Sequence, residues 1–199
     1  QAFGEQVKDS IVWVSYEVSG KTTDERSFEE GGASGSGIIY SVEGQKMKVL
    51  TNRHVIDCGF GEAYCYERTS EKVRLRTQDG KVHSVSKILY APHDMDIAIL
   101  EVNLPNSEDY KPASRPNNFA NTNENVVAIG YPDAGLEGNY VEFSVSKGEI
   151  TGTRQIIAQD GFGFEIYDSN AYVNHGSSGG GLFDENGNLI GITTWGSIF

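Results

Sequence analysis

Short runs of alternating apolar and polar residues, separated by turns rich in Gly, Asn and Asp, fill most of this 199-residue chain. No apolar stripe with a period of 3.6 residues continues for the length of a helix. Alternation with a period of two is typical of strands that bury one face. The pattern therefore predicts an all-β protein.

The predicted strands fall into two groups, and each group has the six strands that suffice for a small closed barrel. In the first half we predict strands over residues 10–18, 36–40, 47–51, 72–77, 82–89 and 97–102. In the second half we predict strands over residues 125–130, 141–153, 155–159, 164–167, 180–183 and 189–195.

The stretch between the two groups is rich in Pro, Asn, Ser and Ala and has no hydrophobic period, which is typical of a linker. We expect one β-barrel over residues 1–112, a linker over 113–123, and a second β-barrel over 124–199. We find no internal repeat in the sequence.

Composition narrows the classes of partner. The 28 acidic and 16 basic residues give a net charge of -12, which repels nucleic acid and anionic membrane surfaces. No apolar run approaches the roughly 20 residues of a membrane-spanning helix. The first residue is Gln1, which fits a mature chain after signal removal and fits a recombinant fragment equally well.

Cys58 and Cys65 lie close together in a Gly-containing stretch. In an oxidising compartment they could close a small disulfide ring, and the alternative is a pair of thiols. A zinc site at these residues lacks a matching ligand spacing. We therefore expect no metal and no cofactor.

The sequence TNRHV at residues 51–55 places His54 where an apolar strand gives way to a short helical turn at a barrel rim. That position suits a general base, whereas His83, His93 and His175 lie in less suitable surroundings. Asp96 directly precedes the apolar run IAIL, so its carboxylate would be poorly hydrated and would need a partner. His54 is the obvious partner, and Asp94 is the alternative carboxylate.

The sequence NHGSSGGG at residues 174–181 offers a nucleophile, Ser178, among glycines that let the backbone turn sharply. The amide groups of Gly176 and Ser178 would then form an oxyanion hole. Ser177 is the rival hydroxyl. The string also fits the G-x-S-x-G elbow of α/β-hydrolases, but those enzymes place their His after the Ser, and this chain has no His beyond residue 175.

Taken together in this order, the motifs resemble chymotrypsin-fold serine proteases of the trypsin-like type, and specifically their HtrA or Deg branch. The resemblance implies two six-stranded antiparallel Greek-key barrels, with the alternative that the second is truncated at its C-terminal end. It is carried by the segments 34–39, 50–55, 94–100, 128–132, 144–150 and 168–193.

The resemblance implies a serine endopeptidase that acts through an acyl-enzyme, with His54 as base, Asp96 as its orienting acid and Ser178 as nucleophile. Thr194 would hydrogen-bond Asp96, and the stretch around it would pair with substrate as an added strand. The expected substrate-binding residues are Tyr172, Val173, Asn174, His175, Thr193, Thr194, Trp195 and Gly196.

None of the expected pocket residues is a buried Asp, which disfavours cleavage after Arg or Lys and favours a moderately small, apolar substrate side chain. A glutamyl pocket through His175 is a weaker alternative, because Thr193 stands where such enzymes usually carry a His. Ser177 replaces the Asp that pairs with a freed N-terminus in digestive relatives. Relatives also continue beyond the position of Phe199, often with a PDZ domain.

We thus expect a secreted or periplasmic endopeptidase with protein or peptide substrates. Its oligomeric state is left open. The alternative from another class is a catalytically silent protease-like module that binds peptides or partners, and a third is a non-peptide esterase with the same chemistry.

Overall fold

Antiparallel β-structure dominates the protein. The computed structural model describes residues 7–21, 27–57, 67–106, 109–131, 144–173 and 178–194. They form a 3-10 turn at Lys8–Ser10, one short helix α1 (Arg53–Ile56) and twelve strands in two sheets. The predicted all-β class is confirmed.

The first sheet contains seven strands in the order β5-β4-β1-β2-β3-β7-β6, all paired antiparallel. Its strands are β1 (Ile11–Lys21), β2 (Ser27–Glu43), β3 (Lys46–Thr51), β4 (Glu67–Arg76), β5 (Val82–Ser84), β6 (Lys87–Tyr90) and β7 (Ala98–Asn103).

The strand predicted over 82–89 is two strands, and the break between them closes the first sheet. The N–H of Val85 donates to the carbonyl of Val73 in β4, whereas the N–H of Ser86 donates to the carbonyl of Glu101 in β7. One continuous segment therefore leaves one edge of the sheet and joins the opposite edge. The predicted single strand was wrong because its two halves bond to different neighbours, which no local pattern reveals.

The second sheet contains five strands in the order β10-β9-β8-β11-β12. The residues predicted as two strands over 141–153 and 155–159 form one strand from residue 144 onward, since β10 pairs with it on both sides of Arg154. Among the described residues of the second half, this merger leaves five strands where six were predicted. The strands are β8 (Asn125–Gly130), β9 (Ser144–Ile157), β10 (Gly163–Ser169), β11 (Gly181–Asp184) and β12 (Leu189–Ile192).

Three apolar clusters explain how the sheets are held. The first fills the interior of the seven-stranded sheet, and the third lies against the five-stranded sheet. Alternate residues of a strand point to opposite faces of its sheet. The faces that do not belong to the first and third clusters pack against each other in the second cluster, which joins the two sheets. It contains Val7, Ile11, Ile38, Val127, Ile129, Tyr131, Phe183 and Leu189.

The chain between the sheets contacts both of them. The N–H of Ala113 donates to the carbonyl of Ile39 in β2, and the carbonyl of Ser114 accepts from Leu189 in β12. An isolated parallel bridge joins Ser114 to Asn188. This stretch therefore contacts both sheets, and the domain boundaries at residues 112 and 123 stay a prediction.

Candidate active site

Helix α1 presents His54 at the rim of the first sheet. Strand β3 ends at Thr51, and α1 begins two residues later. Val55 and Ile56 are buried in the first apolar cluster, so the neighbouring His54 faces outward with its side chain 33% exposed. Strand β3 and the buried residues of α1 thus fix the backbone on both sides of His54 and hold its imidazole at the surface.

The carboxylate of Asp96 makes two contacts with His54. One oxygen, Oδ1, accepts from the backbone N–H of His54 at 2.8 Å, and Oδ2 lies 2.6 Å from the ring atom Nδ1. An ionised carboxylate can only accept, so Nδ1 carries the proton and Nε2 is the basic nitrogen of the neutral ring. The Asp96 side chain is only 10% exposed, which shields this contact from water.

Asp94, the alternative carboxylate, is exposed in a turn with a φ of 57°. The preceding residue, His93, also has a positive φ, and its ring stacks on Phe162 with centroids 3.9 Å apart. Nδ1 of His93 hydrogen-bonds the carboxylate of Asp160, and this bond together with the Phe162 N–H holds the pKa of Asp160 below its usual value. The loop before Asp96 therefore touches the hairpin between β9 and β10.

Ser178 lies against the first sheet through its backbone. Its carbonyl accepts from the N–H of Ser36 at 2.8 Å. A β-carbon placed on Gly35 would meet this same carbonyl oxygen and both terminal carbons of Val55 at 2.9 Å. The Ser178 backbone and the residue after His54 therefore converge on Gly35, where only a hydrogen atom fits between them.

The next residue, Gly179, fixes the course of the chain through this loop. Its φ is +84°, and a β-carbon there would lie 2.0 Å from the carbonyl oxygen of Ser36. Its N–H donates to the carbonyl of Thr193 at 3.0 Å, while the N–H of Thr193 donates to the carbonyl of Gly180 at 2.9 Å. The segment is thus held between β2 on one side and the end of β12 on the other.

Ser36 joins three parts of the site. Besides its bond to Ser178, its carbonyl accepts from the Thr51 hydroxyl at 2.8 Å, and its own hydroxyl accepts from the N–H of Tyr131 at 2.7 Å. Burial raises the pKa of the Tyr131 phenol, so this residue stays neutral at physiological pH. These bonds connect β2, β3, the end of β8 and the Ser178 loop.

A shallow depression lies beside the Ser178 loop, and the walls of this pocket stand too close together to admit a water molecule. No charged side chain lines it within the described residues, and Tyr172, whose side chain is largely exposed, stands at its edge. The hydroxyl of Ser146 accepts from the N–H of Tyr172 at 2.7 Å and thereby fixes this wall. The lining residues are Ala128, Ile129, Gly130, Ser144, Tyr172, Val173 and Thr193.

The expected bond from Thr194 to Asp96 is absent, and Asn52 occupies the place between them. The Thr194 hydroxyl donates to the carbonyl of Ile192 at 3.3 Å. Nδ2 of Asn52 lies 3.4 Å from the Thr194 hydroxyl and 2.9 Å from the carbonyl oxygen of Asp96. The prediction was wrong because Thr194 meets the Asp96 main chain through an intervening amide.

Several predicted residues lie outside the described part of the chain. The oxyanion-hole glycine, the rival nucleophile, the cysteine pair and half of the substrate-binding set belong to them. They are Cys58, Cys65, Asn174, His175, Gly176, Ser177, Trp195 and Gly196.

Neither Ser36 nor Asn52 was predicted from the sequence as part of the site, and the structure shows that both are fully buried. Ser36 stands in a strand, where a polar residue is expected to face water. Asn52 directly precedes a helix, where Asn usually caps the first turn, yet its side chain makes no cap bond. The only signal in the sequence was position, since Ser36 follows Gly35 and Asn52 lies two residues before His54.

Within the described ranges, no group of three or more His, Cys, Asp or Glu side chains is arranged to hold a metal ion. No described helix has the length and apolar character needed to cross a membrane.

Comparison with known proteins places this arrangement in a family. The family described as "Trypsin-like peptidase domain" matches residues 35–192. The protease Rv3671c of M. tuberculosis, in a crystal structure titled as its active form, superposes with a TM-score of 0.69 at 23% identity. That comparison covers 98% of this chain and 74% of the other, and it shows a shared fold.

Among curated proteins, the Bacillus subtilis "Serine protease Do-like HtrA" is 24% identical over 88% of this chain and 36% of its own length. A Haemophilus influenzae protein, "Probable periplasmic serine protease do/HhoA-like", is 32% identical over 80% of this chain and 30% of its own length. The chain thus spans about a third of these relatives. It belongs to the family of trypsin-like peptidase domains, and its homologues are serine proteases of the HtrA type.

Proposed function

We propose that the chain is a serine endopeptidase in which His54, Asp96 and Ser178 form the catalytic triad. The observation that carries the proposal is the pairing of Asp96 with both the ring and the backbone N–H of His54. A carboxylate in that position fixes the ring tautomer and stabilises the imidazolium that forms during attack. The docking of the Ser178 backbone beside Gly35 and Val55 supports the third member.

In the proposed mechanism, the Ser178 hydroxyl oxygen attacks the carbonyl carbon of the scissile peptide bond, and Nε2 of His54 takes the hydroxyl proton. The amide groups of Gly176 and Ser178 would stabilise the resulting oxyanion. His54 then gives the proton to the leaving amine as the C–N bond breaks. Water, deprotonated by His54, then attacks the acyl carbon. The bond from this carbon to the Ser178 oxygen breaks, and His54 returns the proton to that oxygen.

The described walls of the pocket support a preference for a compact, uncharged substrate side chain before the scissile bond. The walls formed by Val173, Thr193 and Gly130 offer no counter-charge to Arg, Lys or Glu. The segment that follows β12, which contains Thr194, Trp195 and Gly196, would pair with the substrate backbone as an added strand.

The proposal is tested by labelling with a fluorophosphonate, which reacts with activated serines. We expect mass spectrometry to locate the adduct on Ser178. Ser178→Ala should abolish labelling and casein cleavage, and Asp96→Asn should lower kcat by about 10⁴-fold because the ring tautomer is no longer fixed.

Asp94→Asn is the matched control, because this carboxylate is exposed two residues away. Its activity should equal that of the unmodified protein. An unlabelled Ser178, under conditions that label a control protease, would instead favour a silent binding module. Labelling with ester but not peptide turnover would favour an esterase.

We further propose that the protein works outside the cytoplasm and that Cys58 and Cys65 are joined there. Relatives described as periplasmic, in Haemophilus influenzae and Escherichia coli, support this location. Protein recovered from its native host without reduction should yield a single peptide in which the two cysteines are linked. Free thiols in that material, after alkylation during lysis, would contradict the proposal.

A further inference from the structure

Asn52 is a fully buried polar residue that lies between β3 and α1. An Asn at this position usually accepts a hydrogen bond from the first turn of the helix. Its side chain instead crosses to the segment before β7, where Nδ2 donates to the Asp96 carbonyl at 2.9 Å. The same nitrogen lies 3.4 Å from the Thr194 hydroxyl.

The orientation of this amide is fixed by its partner. A carbonyl oxygen can only accept, so the atom that faces Asp96 must be the nitrogen. Oδ1 is then buried without a hydrogen-bond partner among the described residues. A buried acceptor without a partner costs free energy of folding. The nitrogen makes both hydrogen bonds of this side chain, so any role of Asn52 in the site depends on that atom.

The segment that carries Asp96 needs such an anchor. His93 and Asp94 have φ values of 61° and 57°, a region that residues other than glycine adopt at a cost. Among the described backbone groups, only the bonds from Ala91 to Ile97 and from Met95 to Pro92 close this turn internally. Contacts from elsewhere in the fold must therefore determine where Asp96 points.

We infer that Asn52 is a positioning residue for the proposed peptidase reaction. His54 holds the two carboxylate oxygens of Asp96, and Asn52 holds its main-chain carbonyl, so the residue is fixed at both ends. Through Thr194, the same amide connects the acid to the segment expected to bind substrate. This inference rests on the proposed function, since its consequence is the alignment of the Asp96 carboxylate with His54.

The test replaces Asn52 with Ala and with Ser, both smaller than Asn and unable to overfill the site. We expect kcat per active site, counted by fluorophosphonate titration, to fall on the order of 100-fold, as small misplacements of catalytic groups do. KM should change much less than kcat, because Asn52 does not line the described pocket and its contact with Thr194, at 3.4 Å, is the longer of its two.

Asn125→Ala is the matched control. The exposed side chain of Asn125 hydrogen-bonds Glu185 at 2.8 Å and makes no hydrogen bond to His54 or Asp96. Its variant should keep the kcat of the unmodified protein. If Asn52 has only a structural role, its replacement would lower the melting temperature and the number of active sites that the fluorophosphonate labels. In that case kcat per site would be unchanged, and this result would overturn the inference.

A second readout does not require turnover. In a Ser178→Ala background, the proton on Nδ1 of His54 should give a low-field NMR signal, which broadens and moves upfield when Asn52 is replaced. If this signal responds while unmodified protein fails to label at Ser178, the positioning role stands and the proposed function fails. If the signal and kcat per site are both unchanged in folded variants, the positioning role is wrong.

Discussion

Gly179 shows how closely one residue can constrain this site. Its backbone has the left-handed φ that favours glycine, and its α-carbon faces the carbonyl of Ser36 with no room for a side chain. The glycine therefore satisfies both a conformational and a steric requirement. The first could be anticipated from a glycine-rich turn, whereas the second depends on a strand far away in the sequence.

We predict that Gly179→Ala destabilises the fold and slows labelling of Ser178. Gly80→Ala is the matched control, because Gly80 has nearly the same φ of +83° but no atom within 4 Å of its β-carbon position. The control should lose only the conformational term, about 1–2 kcal/mol in the free energy of unfolding. Gly179→Ala should lose more, as urea denaturation would show. Equal losses would mean that the loop yields to the added methyl group.

The residues of the proposed active site could be predicted from the sequence to different degrees. His54 and Asp96 each adjoin a strong apolar strand, so sequence order and strand adjacency sufficed to select them, and the structure brings the two together. The structure places Asp94, the rejected alternative, in an exposed turn. The amide of Asn52 could not be assigned, because it bonds the Asp96 carbonyl, 44 residues away, instead of capping the helix that follows it.

Among the elements, the turn between β4 and β5 carries a polar cluster formed by Thr77, Asp79, His83 and Tyr110. The Tyr110 hydroxyl donates to Asp79 at 2.8 Å, the Thr77 hydroxyl donates to the same carboxylate, and Nε2 of His83 lies 3.1 Å from both hydroxyls. Tyr110 belongs to the segment that leads to the second sheet. The cluster therefore attaches that segment to a barrel turn.

Stability should depend on pH through this cluster. Burial opposes ionisation of Asp79, but hydrogen bonds from Thr77, Tyr110 and the Lys81 N–H outweigh it and hold the pKa below the ordinary 3.8. A lowered folded-state pKa stabilises the fold above the unfolded value, and this stabilisation is lost as pH falls through the folded value.

Asp79→Asn should therefore lower the melting temperature at pH 7, and the difference should shrink below about pH 3.8. The side chain is 39% exposed, so solvent screening limits the effect to the order of 2 °C. Differential scanning calorimetry across this range provides the measurement. A difference that is constant with pH would mean that the carboxylate charge does not contribute.

Element boundaries were less predictable than element existence. The apolar alternation located most strands, yet β2 extends from Ser27 to Glu43, well beyond the predicted 36–40. Its first half contains Gly31, Gly32 and Ala33, which carry no strand signal and are held by pairing with β1. Long-range pairing determined the extent of the strand, and it also joined the two strands predicted in β9.

At the scale of the whole molecule, two sheets with a shared apolar interface were foreseeable, but the residues that join them were not. The interface is formed by the second face of strands whose first face packs inside one sheet. In β2, for example, Ile39 belongs to the interior of the first sheet and Ile38 belongs to the interface. A strand buried on both faces reads as a plain apolar run, and its sequence does not say which neighbour covers which side.

Protein synthesis proceeds towards the C-terminus, so strands β1 to β7 can close before β8 to β12 have been made. Residues 54 and 96 would then be paired while the hydroxyl that they are proposed to activate is still missing. The hydrogen bond from the Ser36 N–H to the Ser178 carbonyl can form only after the segment before β11 has been made. Translation that stops before residue 178 would thus release a product without the proposed nucleophile, and the proposed peptidase activity would begin only after the second sheet has been added.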